Sequence, residues 1–243
     1  MADLKQPLTA PPLGPPDGST SEESPPWGLS TALLALLIAL AASVVFAFII
    51  ASFFLATGTE SPDDSSAFTF LATAAQSIVF VTVALGVAGQ QGRVSLRQFG
   101  FRRFDSGAIG WAVVAMVAYF VLAAVYVQIA NPPEDDVPRQ FGADQSTALA
   151  ILTGIFVIAV APPVEEFFFR GFLYQAFRNR LGVLGGALLS GLLFGAIHFK
   201  PDFLVPLTIL GTTLALVFQK TGSLWPCIMV HALNNAIAFS VTV

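Results

Sequence analysis

Long apolar stretches separated by short polar turns are the feature that most restricts the fold of this chain. Of its 243 residues, 55% are hydrophobic and only 11% are charged, whereas soluble domains carry about 25% charged residues. Each of the first three stretches is long enough for a helix that crosses ~30 Å of hydrocarbon. We therefore predict an all-α fold, a polytopic integral membrane helical bundle of about seven transmembrane helices in contact with the lipid bilayer.

The hydropathy pattern and the turns at Gly182 and Thr221–Ser223 divide the chain into apolar spans. The predicted spans cover residues 29–56, 68–88, 108–130, 147–180, 183–199, 203–218 and 224–243. The first three belong to an N-terminal part, residues 27–146. Residues 1–26 are rich in Pro, Ser, Gly and acids, and we predict that they form a disordered cytoplasmic tail rather than a signal peptide.

The positions of Lys and Arg predict the orientation of the spans, because cytoplasmic loops carry an excess of these residues. With the N-terminus in the cytoplasm, eight basic residues face that side: Lys5, Arg93, Arg97, Arg102, Arg103, Arg178, Arg180 and Lys220. Only Arg139 and Lys200 then face the other compartment. We predict a multi-pass protein of the cell (cytoplasmic) membrane with a cytoplasmic N-terminus. No nucleic-acid partner is expected, because the chain has no basic patch.

The fourth span is too long for a straight crossing. As a continuous helix, residues 147–180 would measure roughly 50 Å at about 1.5 Å per residue, well beyond the ~30 Å hydrocarbon core. Either the helix tilts and projects into the cytoplasm, or Pro162–Pro163 breaks it just before Glu165. A break would free backbone groups that only protein or a watery cavity can satisfy, so it would favour a hydrated cavity at this point.

Three charges deep inside this span lie within six residues, Glu165–Arg170. Each charged residue at mid-helix costs about 2.5–3.5 kcal/mol on insertion scales, so intramembrane charges indicate a functional site. Glu166 and Arg170 are four residues apart and can pair on one helix face, which leaves Glu165 free for other work. The alternative is a network of the three charges that only holds helices together.

The two histidines of the chain, His198 and His231, also lie in apolar stretches. His198 follows a stripe of small residues that includes Gly191 and Gly195, and this stripe allows a neighbouring helix to approach closely. Taken alone, His198 is better explained as a residue of the membrane interface. His231 and Asn235 are four residues apart, and taken alone they could simply hydrogen-bond a neighbouring helix.

Together these residues are more specific than any one of them. Three motifs on three apolar helices predict one convergent polar site: Glu165-Glu166-x-x-x-Arg170, Phe194-x-x-x-His198 and His231-x-x-x-Asn235. Such a site suits peptide hydrolysis. A carboxylate and an imidazole can hold and deprotonate a water molecule, while an imidazole and an amide can donate hydrogen bonds to an oxyanion.

The same motifs resemble those of the CPBP intramembrane proteases, the CAAX-processing and bacteriocin-processing (Abi) family. The resemblance covers about Thr147–Ala238, so residues 147–243 are expected to form a CPBP-like catalytic transmembrane core. It implies an intramembrane endopeptidase that hydrolyses a peptide bond in a membrane-associated peptide or lipid-modified protein, in some members a prenylated C-terminus. It also implies roles for six residues: Glu165 and His198 activate the water, His231 and Asn235 stabilise the oxyanion, and Glu166 and Arg170 support the site.

The residues leave the use of a metal open. Glu165, His198 and His231 could supply the three protein ligands of a catalytic zinc, and members of the family are often labelled metalloproteases. The chain has no His-Glu-x-x-His helix, however, and the motifs suit a glutamate-activated water without metal. We therefore expect no cofactor, with zinc as the alternative.

Three other interpretations also remain open. The chain could be a non-catalytic immunity or scaffold relative of the family, or a transporter that uses the buried charges. Transporters often have repeated halves, and the chain has no second copy of the Glu-Glu segment. A Cys227–His231 nucleophile is a third alternative, although a buried thiol usually behaves as a small hydrophobe.

Overall fold

The computed structural model describes residues 25–59, 61, 65–133 and 137–242 of the chain. Every regular element in this part is a helix, so the predicted all-α fold is confirmed. Residues 1–24 of the predicted tail lie outside the described residues. Six helices in the described part are long and apolar enough to cross a membrane. The chain is therefore an integral, multi-pass membrane protein.

Nine α-helices form the described bundle. They are α1 (Leu29–Ala56), α2 (Ser66–Gly89), α3 (Ser106–Ala130), α4 (Val137–Gln140), α5 (Thr147–Ile155), α6 (Ala161–Glu166), α7 (Gln175–Ala196), α8 (Leu204–Thr221) and α9 (Leu224–Thr242). Two π-helical segments, Phe156–Val160 and Phe167–Tyr174, join α5 to α6 and α6 to α7. A short 3₁₀ turn, Pro201–Phe203, precedes α8. The bounds agree with the predicted spans to within about one helical turn.

Polar side chains cap the first turns of three helices. Ser65, Asp105 and Ser146 each accept a hydrogen bond from the backbone N–H three residues later, at the starts of α2, α3 and α5. A side-chain oxygen at this position satisfies one of the free N–H groups of the first turn. The local sequence therefore sets where these helices begin, and their apolar length sets how far they run.

Gly182 turns the chain back on itself. Its backbone has φ 73 and ψ 178, a combination that glycine adopts without a steric penalty. The two arms of the turn then pack closely. A Cβ atom on Gly186 would lie 2.7 Å from the backbone nitrogen of Arg178, and the Ser190 hydroxyl donates to the Phe169 carbonyl at 3.4 Å. The apolar helical stretch Thr147–Ala196 thus contains two of the seven predicted spans, which meet at the predicted turn.

The helix runs on through Pro162 and Pro163, so of the two predicted alternatives the break does not occur. The preceding segment is π-helical, and the Ala161 N–H bonds to the Phe156 carbonyl five residues back. A proline normally leaves one carbonyl of the preceding turn without a donor. Here the wider π turn just before the prolines lets the backbone continue without a kink at Glu165, and π turns of this kind are frequent at functional sites.

Small residues let α7 and α8 approach each other at backbone distance, as the stripe in the sequence predicts. A Cβ atom on Gly191 would lie 2.6 Å from both the carbonyl oxygen of Thr208 and the backbone nitrogen of Thr212. A Cβ atom on Gly195 would lie 2.9 Å from the carbonyl oxygen of Leu204. This close packing fixes the end of α7, which the polar motif at His198 follows.

One end of the bundle, which we call the basic end, is formed by three segments: residues 90–105, 178–182 and 219–223. The Ser223 hydroxyl donates to the Arg102 carbonyl at 2.7 Å, and the Arg178 guanidinium donates to the Gln219 side chain at 3.4 Å. This end carries seven of the 11 Lys and Arg residues of the chain: Arg93, Arg97, Arg102, Arg103, Arg178, Arg180 and Lys220.

The other end, which we call the opposite end, is formed by residues 131–133, 137–146 and 197–203. The Tyr126 hydroxyl at the end of α3 donates to the Asp202 carbonyl at 2.7 Å. The described basic residues at this end are Arg139 and Lys200. The basic residues therefore divide between the two ends as predicted, while the orientation of the ends in a membrane stays a prediction.

A layer of buried aromatic rings fills the bundle on the basic side of Glu166. We call it the aromatic layer; it contains Trp27, Phe80, Phe99, Phe167, Phe168, Phe169 and Phe172, each at most 5% exposed. Ring centroids lie 4.6 Å apart for Trp27 and Phe99 and 4.4 Å apart for Phe80 and Phe168. The Trp27 indole N–H also donates to the Phe172 carbonyl at 3.1 Å. The layer joins the start of α1 and the 90–105 loop to the continuous helix of residues 147–181, which we call the long helix.

Replacement of Gly191 by alanine tests the contact between α7 and α8. The new Cβ has no room against the α8 backbone, so Gly191→Ala should lower the free energy of unfolding by about 1–3 kcal/mol. Thermal unfolding of the purified protein in detergent measures this change. Gly110→Ala in α3 is the matched control, because a Cβ there meets nothing within 4 Å. Equal melting temperatures for the two variants would contradict the close contact.

Candidate active site

A buried ion network lies at the junction of four helical segments. The Glu166 carboxylate accepts from the Arg170 guanidinium at 2.9 Å and from Nδ1 of His231 at 2.8 Å, through the same oxygen. Glu166 and Arg170 are both fully buried. The guanidinium also donates to the Gly211 carbonyl at 3.0 Å and lies 4.6 Å from the centre of the Phe194 ring. The predicted pair is therefore confirmed, and it additionally holds His231 of α9 and the backbone of α8.

Glu165 lies outside the Glu166–Arg170 pair and lines a cavity. Its side chain is 22% exposed, and its Oε2 lies 3.8 Å from Nε2 of His231. That oxygen is buried, and among the described residues it has no hydrogen-bond donor. Adjacent positions on a helix point about 100° apart, so one acid can pair with Arg170 while the other stays available. This is the arrangement that the Glu-Glu spacing predicts.

His198 lies in the turn that follows α7 rather than on the helix itself. Its Nδ1 lies 2.7 Å from the Phe194 carbonyl. A carbonyl can only accept a hydrogen bond, so Nδ1 carries the proton, and in the neutral ring Nε2 keeps a lone pair. The Phe194 ring contacts both imidazoles edge to face, with centroid distances of 4.9 Å to His198 and 5.5 Å to His231. Phe194 therefore sets the spacing between the two histidines.

The side chain of Asn235 completes the backbone ladder that Pro162 interrupts. Ala161 bonds to Phe156 in the i to i−5 register, and the next bond in that register would join residue 162 to the Val157 carbonyl. Proline has no N–H. The Asn235 amide donates to the Val157 carbonyl instead, at 2.8 Å. One N–H of this amide is therefore used by the backbone, and the second has no acceptor among the residues that the structure describes.

The four predicted residues with access to a substrate line one cavity of about 310 Å³: Glu165, His198, His231 and Asn235. Their predicted convergence is therefore confirmed as geometry, while their chemical roles stay predictions. His231 is only 3% exposed, so it lies at the base of the cavity. Apolar rings and aliphatic side chains of several helices form much of the remaining wall.

One wall of the cavity comes from α2, which the sequence reasoning missed. Thr69, Thr73, Gln76 and Ser77 line the cavity, and their spacing places them on one face of the helix. Thr73 and Ser77 donate to the carbonyls four residues back, at 2.8 and 2.9 Å. This leaves their hydroxyl oxygens able to accept further hydrogen bonds. A row of polar residues every three to four positions in an apolar helix was the signal that could have identified this wall.

Cys227 contributes to packing rather than to the cavity. It is fully buried, and its thiol contacts the carbonyls of Leu214 and Ser223, at 3.4 and 3.7 Å. It does not belong to the residues that line the cavity. The Cys–His alternative is therefore not supported by the position of this thiol.

The residues do not form a metal site as they are placed. In the described part of the chain, no three His, Cys, Asp or Glu side chains are grouped so that they could hold a metal ion. Glu165, His198 and His231 share a cavity but are not grouped as three ligands around one point. The expectation of no cofactor, with zinc as the alternative, stays a prediction.

A double-mutant cycle tests the bond between Asn235 and the Val157 carbonyl. Asn235→Ala leaves that carbonyl without a donor and should cost about 1–3 kcal/mol of unfolding free energy. Pro162→Ala supplies a backbone N–H that can bond to the same carbonyl, so in that background Asn235→Ala should cost less. Thermal unfolding in detergent measures both values.

Pro163→Ala is the matched background for this cycle. It also restores an N–H to the same helix, but one residue further along and not next in register to Val157. In the Pro163→Ala background, Asn235→Ala should therefore lower the unfolding free energy by as much as it does in the wild-type chain. An identical cost of Asn235→Ala in all three backgrounds would show that the amide does not replace the missing N–H.

Comparison with known proteins agrees with the motifs. Residues 147–237 match the family model described as type II CAAX prenyl endopeptidase Rce1-like. The predicted resemblance to the CPBP family is thereby confirmed for this segment.

Three curated proteins share about half of their length with this chain. Identity is 26% over 142 residues to “Putative membrane peptidase YdiL” of Bacillus subtilis, covering 55% of this chain and 58% of that protein. It is 31% over 129 residues to “Uncharacterized 24.3 kDa protein” of Escherichia coli, covering 51% and 59%. It is 32% over 130 residues to “Uncharacterized protein YyaK” of Bacillus subtilis, covering 49% and 43%. No solved structure matches the chain significantly.

Proposed function

We propose that this chain, whose residues 147–237 carry the Rce1-like segment, is a membrane-embedded endopeptidase that acts on a membrane-associated polypeptide. The observation that carries the proposal is the presence of Glu165, His198, His231 and Asn235 in the wall of one cavity. The matched segment contains all four residues. A cell membrane location with a cytoplasmic N-terminus, a peptide or lipid-modified substrate and each residue's role belong to the same proposal.

Glu165 and His198 are proposed to activate the attacking water. The Glu165 Oε2 has no donor among the described residues, and Nε2 of His198 keeps a lone pair because Nδ1 faces the Phe194 carbonyl. Both are acceptors, so a water held between them can donate one proton to each. Glu165 takes a proton as the water oxygen attacks the peptide carbonyl carbon, and it returns this proton to the leaving amine.

His231 and Asn235 are proposed to stabilise the negative charge that forms on the carbonyl oxygen. The second N–H of Asn235 is free for this bond, because only one is used by Val157. His231 becomes a donor through Nε2 when it is protonated. Preorganised donors of this type stabilise the transition state without reorganisation.

Glu166 and Arg170 are proposed to orient the donors rather than to touch the substrate. Both are fully buried and neither lines the cavity. Glu166 holds Nδ1 of His231 at 2.8 Å, which directs Nε2 towards Glu165. Arg170 fixes the carboxylate that does this. A carboxylate behind a functional imidazole sets its orientation and its tautomer.

Glu165→Gln tests the assigned base. The amide keeps the size and polarity of the side chain but cannot accept the proton, so turnover should fall by at least ~10²–10⁴-fold. The assay uses purified protein in detergent and synthetic peptides with and without a C-terminal farnesyl cysteine, and mass spectrometry detects the products. Asp144→Asn is the matched control, because Asp144 is exposed and outside the cavity.

Two results would contradict this proposal. Full turnover by a correctly inserted Glu165→Gln protein would show that Glu165 is not the base. No cleavage of any peptide by the folded wild-type protein would favour the non-catalytic relative or the transporter that the sequence leaves open.

We also propose that the water is activated without a metal ion. The motive is the arrangement of the side chains, since no three metal-binding side chains are grouped in the described residues. Turnover should then be unchanged by a chelator and by added zinc, and metal analysis of the purified protein should find less than one zinc per chain. The proposal of metal-free activation would be overturned by one tightly bound zinc per chain, if activity is lost when the zinc is removed and restored when it is returned.

A further inference from the structure

The cavity reaches the surface at the opposite end of the bundle. Its wall includes residues of the 137–141 segment and of the turn after α7: Val137, Pro138, Gln140, Phe141, Lys200 and Phe203. Gln140 is exposed and Lys200 is partly exposed. A substrate can therefore approach Glu165 from this end.

The path towards the basic end is filled with side chains. Every residue from Glu166 to Arg178 is buried, and the aromatic layer lies on this side of Glu166. Phe80 belongs both to this layer and to the cavity wall, where its ring stacks on Phe168 at 4.4 Å. Residues 90–105 and 219–223, all of them described, contribute nothing to the cavity wall. The cavity is therefore closed below Glu165 and open above it.

The charges distinguish the two ends. Seven basic residues lie at the basic end, and two described ones, Arg139 and Lys200, lie at the opposite end. An excess of Lys and Arg in short loops marks the cytoplasmic side of a membrane protein. In the predicted orientation, the closed end of the cavity faces the cytoplasm and the open end faces away from it.

We infer that the catalytic cavity receives its substrate from the extracytoplasmic side, and that the substrate is a membrane-anchored polypeptide cut near its extracytoplasmic membrane border. This inference rests on the proposed peptidase function. A prenylated C-terminal tail in the cytoplasm would have to reach Glu165 through the aromatic layer, so it is not the substrate class that this geometry favours.

The walls of the cavity suit such a segment. The α2 face offers hydroxyl oxygens and the Gln76 amide, which can pair with the backbone of an extended peptide. Other parts of the wall are apolar and include Phe156, Leu207 and Leu210. A polypeptide at the membrane border can contact both kinds of surface. Its exposed backbone needs hydrogen bonds, and its anchored flank is apolar.

Cysteine labelling in intact cells tests the side on which the cavity opens. Asp202→Cys, exposed beside the mouth, should react with a membrane-impermeant maleimide, whereas Arg180→Cys at the basic end should react only after the membrane is permeabilised. The wild-type chain is the blank, because its single cysteine is fully buried. Asp144→Cys and Gln91→Cys, also exposed, are a second pair if the first does not insert. The reverse pattern would overturn the inference.

Labelling inside the cavity tests access itself. Thr73→Cys on the α2 wall should react with a charged, impermeant methanethiosulfonate applied to intact cells, and not when the reagent meets only the cytoplasmic face in inverted vesicles. Reaction from the cytoplasmic face alone would overturn the inference. This readout needs no peptidase activity, so it is independent of the proposed function.

Peptide termini in cells with the wild-type chain and with Glu165→Gln test the substrate class. The termini lost in the variant should map to the extracytoplasmic borders of membrane-anchored proteins. Loss of cytoplasmic C-terminal cleavages instead would overturn the substrate class. If no termini are lost while the labelling holds, the peptidase function fails together with the substrate class, and the side of the opening stands.

Discussion

The ion network of Glu166, Arg170 and His231 is the interaction on which the rest of the structure depends. Removing one partner of a buried ion pair typically costs about 3–5 kcal/mol, because it leaves the other charge uncompensated. Here Glu166 has two partners on one oxygen, and Arg170 reaches the backbone of α8 as well. The network therefore determines how the long helix, α8 and α9 lie against one another. It also determines which acid lines the cavity, since Glu166 is held by Arg170 and Glu165 is not.

A second constraint comes from the two prolines before the acids. Pro162 removes an N–H at a point where the helix has already widened to a π turn, and Asn235 fills the gap at the Val157 carbonyl. Asn235, which the motifs predict to be functional, thus also supplies a hydrogen bond that the helix around Pro162 lacks. A substitution at Asn235 changes the stability of the long helix as well as the chemistry of the cavity, so the two effects must be separated by a second change.

The sequence predicted what depends on local chemistry and on the cost of charge in an apolar interior. The bounds of the spans, the turn at Gly182 and the pair of Glu166 with Arg170 follow from composition, backbone freedom and helical spacing. The convergence of the motif residues followed from the improbability of so many polar groups in apolar helices. The continuous helix through Pro162 was not predictable, because it depends on a π turn and on a donor 73 residues away in sequence.

The wall from α2 was missed for a different reason. Thr73 and Gln76 lie far from the motifs in sequence, and hydroxyl side chains that bond to their own helix are ordinary in membrane spans. Only the packing of α2 against the long helix turns them towards Glu165. Their placement depends on tertiary contacts, and no local pattern states which face of an apolar helix will meet a cavity.

The origin of that wall has a consequence for how this kind of protein diversifies. The matched segment, residues 147–237, holds the groups proposed to break the bond, but α2 lies before it and supplies a polar surface that a bound chain would touch. The proposed catalytic groups and this polar surface are thus encoded in separate stretches of sequence. Changes in α2 can alter which polypeptide is accepted without disturbing the ion network, so two proteins that share the matched segment need not share a substrate.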